Sequence, residues 1–372
     1  MSRDDRSDQT FIASSNQSEG FASSSQVSHS LRIPDDNAVS RRMTVGASAL
    51  TVGRVPSCDL VLEGRSVSRE HCRLEVVQGQ LVVTDLGSTN GTFVDGQRIT
   101  APTALQHGAA LQVGAHVLAY ERRTLHEIEE AAALDRDLQN ASAYVQSLLP
   151  EPIPSGPVRT EWMFFPSPEL GGCGFGTGFL NPGLFAAYMI NVMGQGTSAA
   201  MQSVALMSLL ARRAMPGIDP ADPASVLAGL SESAGEGGRN AHYAIWYGVI
   251  DLSTGWLDYA SAGHAPALLT HPRGEIEALG SECPLIGLAP GHRFVARRAA
   301  MPRGASLHLI GDGASELLAR EGIDPVRHFT AALRSGPQPG VPEPLHLFRS
   351  VRETVGARIS EEDFAALAVR PA

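Results

Sequence analysis

The sequence predicts two folded domains of different class, an all-β sandwich followed by an α+β domain, with a helical segment between them. Three observations lead there. Residues 31–122 are short alternating runs such as CRLEVV (72–77), QLVVTDL (80–86) and GTFVDG (91–96), broken by Gly, Pro, Asp and Asn. That is the period of half-buried strands joined by tight turns. Residues 123–150 contain no Gly and no Pro before Pro150 and are rich in Ala, Glu and Leu, the composition of a helix with a proline stop. Residues 157–372 mix both periods, which predicts strands and helices in one α+β domain. There, TSAAMQSVALMSLLARRAMPG (197–217) reads as a buried helix with a glycine stop. AIWYGVIDLSTGWLDYASAG (244–263) reads as a hairpin turning at Asp251–Gly255.

The bulk properties bound the function. A chain of 372 residues holds two or three domains, and 43% hydrophobic with 18% charged residues marks it as globular. The net charge of −10 argues against nucleic acid as the main partner. No apolar run reaches the ~18 residues of a membrane helix, and the opening MSRDDRSDQ lacks the apolar core of a signal peptide. A cytoplasmic location without membrane contact is expected. The basic residues are all Arg, suited to bidentate phosphate contacts. Cys58, Cys72, Cys173 and Cys283 show no paired spacing, so reduced, mostly buried thiols are expected.

The boundaries read as a disordered tail over 1–30, a β domain over 31–122, a helical linker over 123–156 and the α+β domain over 157–372. Within the linker, Leu134, Leu138, Ala141, Val145 and Leu148 step by four and three. That stripe leaves two readings open: a helix packed on its own domain, or a coiled-coil homodimer.

In the β domain, polar residues gather where turns fall. GRVPSCDLVL (53–62) sets Arg54 after a strand-ending Gly. SVSREHCRLEV (66–76) sets Ser68, Arg69 and His71 in a loop entering a strand, and DLGSTNGTFVDG (85–96) sets Thr89 and Asn90 in a Gly-flanked turn. A guanidinium, a hydroxyl and amide donors suit a phosphate dianion. The ordered Gly-Arg, Ser-x-x-His and Thr-Asn-Gly elements resemble the forkhead-associated (FHA) domain over about ninety residues. The resemblance implies phosphothreonine binding. It puts Arg54 and Ser68 on the phosphate, Thr89 and Asn90 on the peptide and loop, Arg69 on the ligand, and His71 inside as a brace.

The C-terminal half resembles the SpoIIE-type branch of the metal-dependent serine/threonine phosphatases (PPM family). The residues that carry it are AYVQSLLPEP (143–152), SPELGGCGFG (167–176), MINVMGQGTSAAM (189–201), YASAGHAPALL (259–269), LHLIGDGASELL (307–318) and SEEDFAALAVR (360–370). The resemblance implies a central β-sandwich flanked by helices, an α-β-β-α sandwich. It also implies a centre of two Mg²⁺ or Mn²⁺ ions held by carboxylates. Here the family's Gly-Gly-Asp reads Gly-Gly-Cys173, and its bridging Asp reads Asn191. Asp312 is kept, Glu362 replaces the first Asp of the last element, and Asp363 stands second. Gln195 and Gly176 depart further. No Asp or Glu occurs between Leu170 and Ile218.

Two dications about 4 Å apart repel by ~17 kcal/mol at an effective dielectric of about 20, and carboxylates must offset that. The expectation is therefore a pseudophosphatase with no two-metal centre and no cofactor, leaving at most one ion at Asp312 with Glu362 or Asp363. His264 is expected to organise a turn. The leading reading is a phosphothreonine-binding signalling protein of a bacterial Ser/Thr kinase or anti-sigma-factor-antagonist circuit. The alternative is an active Mg²⁺- or Mn²⁺-dependent phosphatase targeted by its FHA domain. A phosphorylated Thr10 docking on that domain is a third reading.

Overall fold

The computed structural model describes residues 27–33, 41–235 and 242–372. The chain divides into two compact units between Leu134 and Asp135.

The first unit is a two-sheet β-sandwich. One sheet runs, in spatial order, Arg41–Val45, Val27–Ile33, His116–Thr124, Ala110–Val113, Thr92–Val94 and Gln97–Arg98. The other runs Leu60–Val61, Leu50–Gly53, Cys72–Val77, Gln80–Asp85 and Thr103–Ala104. Alternation places the core: Leu81 and Val83 are buried while Gln80 and Val82 between and beside them are not. They meet Leu74 and Val52 of their own sheet and Leu31, Leu111, Leu118 and Tyr120 of the facing one.

The first strand opens at Val27, so residues 27–30, assigned to the tail from sequence, belong to the sandwich. Val27–Arg32 pair in register with Ala119–Thr124, and tertiary pairing overrides the polar composition of this segment. Thr10 lies outside the described residues.

Helix α1 (Leu125–Ser147) starts where Thr124 and Glu127 form a reciprocal cap. The Glu127 amide donates to Thr124 Oγ1 and the Thr124 amide to Glu127 Oε2, satisfying two amides that the first turn leaves free. Along the predicted apolar stripe, Val145 is buried and Leu138 and Ala141 pack partly against the core of the second unit, whereas Leu134 is 62% exposed.

The second unit has two facing antiparallel sheets with helices outside. One sheet runs Cys173–Asn181, Leu184–Val192, Tyr243–Asp251, Trp256–Ala262 and Arg297–Ala300. Helices α2 (Thr197–Ala211) and α3 (Pro223–Gly235) pack on it. The other runs Val158–Phe165, Phe364–Pro371, Ser306–Ile310, Ala267–Thr270 and Ile276–Leu279. It is associated with α4 (Asp312–Arg320), α5 (Pro325–Ser335) and α6 (Glu343–Val355). The strand Phe364–Pro371 shows why both faces are covered. Ala365, Leu367 and Val369 face the other sheet, while Phe364 and Ala366 join the cluster under the helices. A strand buried on both faces reads as a continuous apolar run, as FAALAV does.

The hairpin predicted at Asp251–Gly255 joins Tyr243–Asp251 to Trp256–Ala262. Helix α2 stops at Ala211, short of the predicted Gly217. Arg213 takes a left-handed φ of 53°, and its guanidinium donates to the carbonyls of Phe179 and Leu180. Among the described residues, no helix is long and apolar enough to cross a membrane.

Candidate functional sites

In the β-sandwich, the loops named from sequence meet at one end. The Arg54 amide donates to the Ser68 carbonyl at 3.0 Å, which fixes the two loops side by side. Gly53 permits this: a Cβ there would lie 2.1 Å from the Arg69 carbonyl oxygen. Ser68 Oγ accepts from the Thr89 amide at 3.0 Å, and Asn90 Nδ2 donates to the Ser66 carbonyl at 2.8 Å. His71 is fully buried. Its Nδ1 accepts from the Ser68 amide and its Nε2 donates to the Gly91 carbonyl, so it joins the two ligand loops from inside.

Asp85 holds the second loop. Burial works against its carboxylate, but hydrogen bonds from Ser88, Thr92 and Gly87 outweigh that and keep it below its usual value. Arg54, Ser68, Arg69 and Thr89 line a cavity of about 650 Å³. Asn90 acts from behind it, through Ser66. Arg65, which the sequence motifs did not single out, also lines it. Arg54, Arg65 and Arg69 thus line one open cavity.

In the second unit a cleft of about 310 Å³ is lined by Gly171, Gly172, Asn191, Gln195, Gly313, Glu316, Glu362 and Asp363, among others. Cys173 and Asn191 stand directly opposite each other on paired strands. Burial pushes the Cys173 thiol well up, and the nearby Asp363 and Asp312 carboxylates push it further. It is a neutral thiol, neither a hard ligand nor an activated nucleophile.

Asp363, which also lines the cleft, is held by backbone amides. Oδ1 accepts from the amides of Ser167 at 2.8 Å and Gly171 at 3.3 Å, and Oδ2 from the amide of Cys173 at 3.3 Å. A Cβ at Gly171 would sit 2.0 Å from Asp363 Oδ2, so the glycine is what lets the carboxylate into this cradle. Asp312, the first residue of α4, accepts from the Ala265 amide at 3.0 Å, and its charge suits a helix N-terminus. His264 donates through Nδ1 to its neighbour Ala265 at 2.7 Å, the local turn contact expected of it.

Glu362 Oε1 is 2.6 Å from Arg320 Nη2. Glu316, missed from sequence, lies one turn after Asp312 on α4. Burial raises its carboxyl, with Glu362 and Asp312 adding to the effect. The four-residue step from Asp312 along a helix was the available signal. Asp312, Glu316 and Glu362 are therefore the side chains that could approach a cation. Among the described residues, no group of three or more His, Cys, Asp or Glu side chains is arranged to hold one.

A family model described as Stage II sporulation protein E (SpoIIE) matches residues 181–372, more than half of the chain. The chain belongs to the SpoIIE family. An FHA domain model matches residues 50–114. The SpoIIE half is 28% identical over 180 residues to the phosphoserine phosphatase RsbP of Bacillus subtilis, covering 48% of this chain and 45% of RsbP. The FHA region is 32% identical over 92 residues to the FHA domain-containing protein FhaB of Mycolicibacterium smegmatis, covering 25% of this chain and 59% of FhaB. The chain thus spans about half the length of these curated relatives. A solved structure of the PP2C phosphatase domain with a regulatory fragment of SpoIIE from Bacillus subtilis aligns with a TM-score of 0.49 and 18% identity, over 57% of this chain and 63% of that one. The FHA sandwich is followed along the chain by the α+β SpoIIE domain, as the motifs implied.

Proposed function

We propose that this protein is a phosphothreonine-reading signalling module whose SpoIIE domain binds partners without hydrolysing phosphate. The observation that carries this reading is the state of the carboxylate positions in the cleft. Cys173 is a buried neutral thiol opposite the neutral Asn191, Asp363 is held by backbone amides, and Glu362 is paired with Arg320. A two-metal centre needs a bridging carboxylate and hard oxygen ligands around both ions. These residues do not fit that centre.

At the other site, Arg54 and Arg69 would take the phosphate oxygens by charge-assisted hydrogen bonds, and the Ser68 hydroxyl would add a further donor. Thr89 and Asn90 would hold the loop against the peptide. The natural upstream partner is a Ser/Thr kinase that writes phosphothreonine. The natural setting is a partner-switching circuit in which an anti-sigma-factor antagonist is phosphorylated.

The second reading is an active Mg²⁺- or Mn²⁺-dependent phosphatase. It is favoured by the gathering of Asp312, Glu316 and Glu362 at one wall and by the likeness to a phosphoserine phosphatase.

Calorimetric titration of Mn²⁺ separates the two. The natural protein is expected to show no two-site binding, and the Cys173→Asp/Asn191→Asp variant to acquire it. Two-site binding by the natural protein would establish the second reading. In parallel, Arg54→Ala should abolish binding of a phosphothreonine peptide while the circular dichroism spectrum stays unchanged. Unaltered affinity would refute the assignment of the sandwich cavity.

A further inference from the structure

We infer that Arg320 has taken the place of a cation at the acidic wall of the SpoIIE cleft. This deepens the reading above and rests on its premise that no two-metal centre forms. Helix α4 carries Asp312, Glu316 and Arg320 at steps of four, so the three share one face. Asp312 and Glu362 stand where the family resemblance puts metal-binding carboxylates, and Glu316 lies beside them. The cation paired with Glu362 is the chain's own. Arg320 Nη2 lies 2.6 Å from Glu362 and 3.7 Å from Glu316, and Nη1 lies 3.6 Å from Glu361. The Glu362 side chain is 16% exposed and that of Arg320 50%. The guanidinium therefore reaches from solvent onto a largely covered carboxylate.

A guanidinium keeps its charge at any working pH and meets a carboxylate edge through fixed donors. It can neutralise Glu362 as a cation would, but it offers no open coordination position and cannot lower the pKa of a bound water. Asn191 and Gln195, which also line the cleft, bring neutral amides. Arg320 thus supplies a single positive charge, set directly on Glu362. This accounts for a Glu362 that is not free to bind a metal ion.

The test is a Mn²⁺ titration of the full-length protein as the natural chain, as Arg320→Met and as Arg320→Met/Glu362→Gln. Methionine keeps the aliphatic stem and removes the charge. The natural protein should show no binding. Arg320→Met should bind one Mn²⁺ at least tenfold more tightly than the detection limit at which the natural chain shows none, and adding Glu362→Gln should erase the gain. A folded Arg320→Met protein that binds Mn²⁺ no better than the natural one overturns the inference. If Arg320→Met fails to fold in metal-free buffer, recovery by Mn²⁺ or by Glu362→Gln supports the inference, and failure of both overturns it. Two-site binding by the natural protein would instead overturn the underlying reading, and this inference with it.

Discussion

Asp363→Ala separates a structural carboxylate from a metal ligand. Asp363 is 6% exposed and accepts three backbone amides, one at 2.8 Å and two at 3.3 Å. A hydrogen bond to a charged acceptor contributes ~1.5–3 kcal/mol, and a buried amide left without a partner costs ~1–3 kcal/mol. Counting the short bond fully and the two long ones at about half gives a loss of ~3–6 kcal/mol. Removing the buried charge recovers part of its desolvation cost, so the net expectation is about 3 kcal/mol. The assay is urea denaturation in metal-free buffer, followed by tryptophan fluorescence. The three tryptophans, Trp162, Trp246 and Trp256, all belong to the second unit, so the signal reports that domain alone. With a slope of ~3 kcal/mol per molar, the midpoint should fall by about 1 M. A midpoint that stays put or rises would refute the reasoning. That is how a carboxylate poised for a metal behaves, because its loss relieves repulsion from its acidic neighbours.

Three further outcomes are expected. His308 is fully buried, with its pKa lowered by that burial and by Arg370 to about 3. Its proton is taken up only by the unfolded chain between pH 6.5 and 3, so stability should be complete above pH 6.5 and fall by ~2 kcal/mol at pH 5. Urea midpoints at pH 7 and 5 check this, and His308→Leu should flatten the difference. Cys173 should resist a thiol reagent at pH 8 while the partly exposed Cys283 reacts; native-state labelling of Cys173 at a comparable rate would make it a reactive nucleophile. Arg65→Ala should weaken phosphothreonine-peptide binding severalfold and reduce its salt dependence, because one of three arginines lining the cavity is lost. Calorimetry at two salt concentrations reads both effects, and an unchanged slope would place Arg65 outside the recognition surface.

Much of the fold was legible because it rests on local periodicity. Alternation at Gln80–Asp85 and the double-sided run Phe364–Val369 announce a half-buried and a fully buried strand. The turn residues likewise announce the loops that carry Arg54, Ser68 and Asn90. What was not legible depends on partners far along the chain. Val27–Ser30 becomes strand because residues near 120 pair with it. Glu316 matters because the 360–363 segment comes back to meet α4.

The sharpest divergence concerns charge rather than position. Read along the sequence, about two carboxylates survive at the ligand positions, and a weak single-ion site is left at Asp312 with Glu362 or Asp363. In the structure, backbone amides hold Asp363, Arg320 holds Glu362, and the Ala265 amide engages one oxygen of Asp312. A residue's identity at a ligand position says what it could offer a metal; its hydrogen bonds say whether the offer is open. Glu362 keeps the negative charge of the family's aspartate on a longer stem, yet Arg320 on the neighbouring helix occupies it. On the proposed reading, then, two features keep a two-metal centre from forming: the neutral side chains of Cys173 and Asn191, and the occupation of the acids beside them. Restoring Asp at 173 and 191 repairs only the first, so metal affinity should rise further when Arg320→Met is added to that pair. If adding it brings no further gain, the replacements at 173 and 191 alone account for the lost centre.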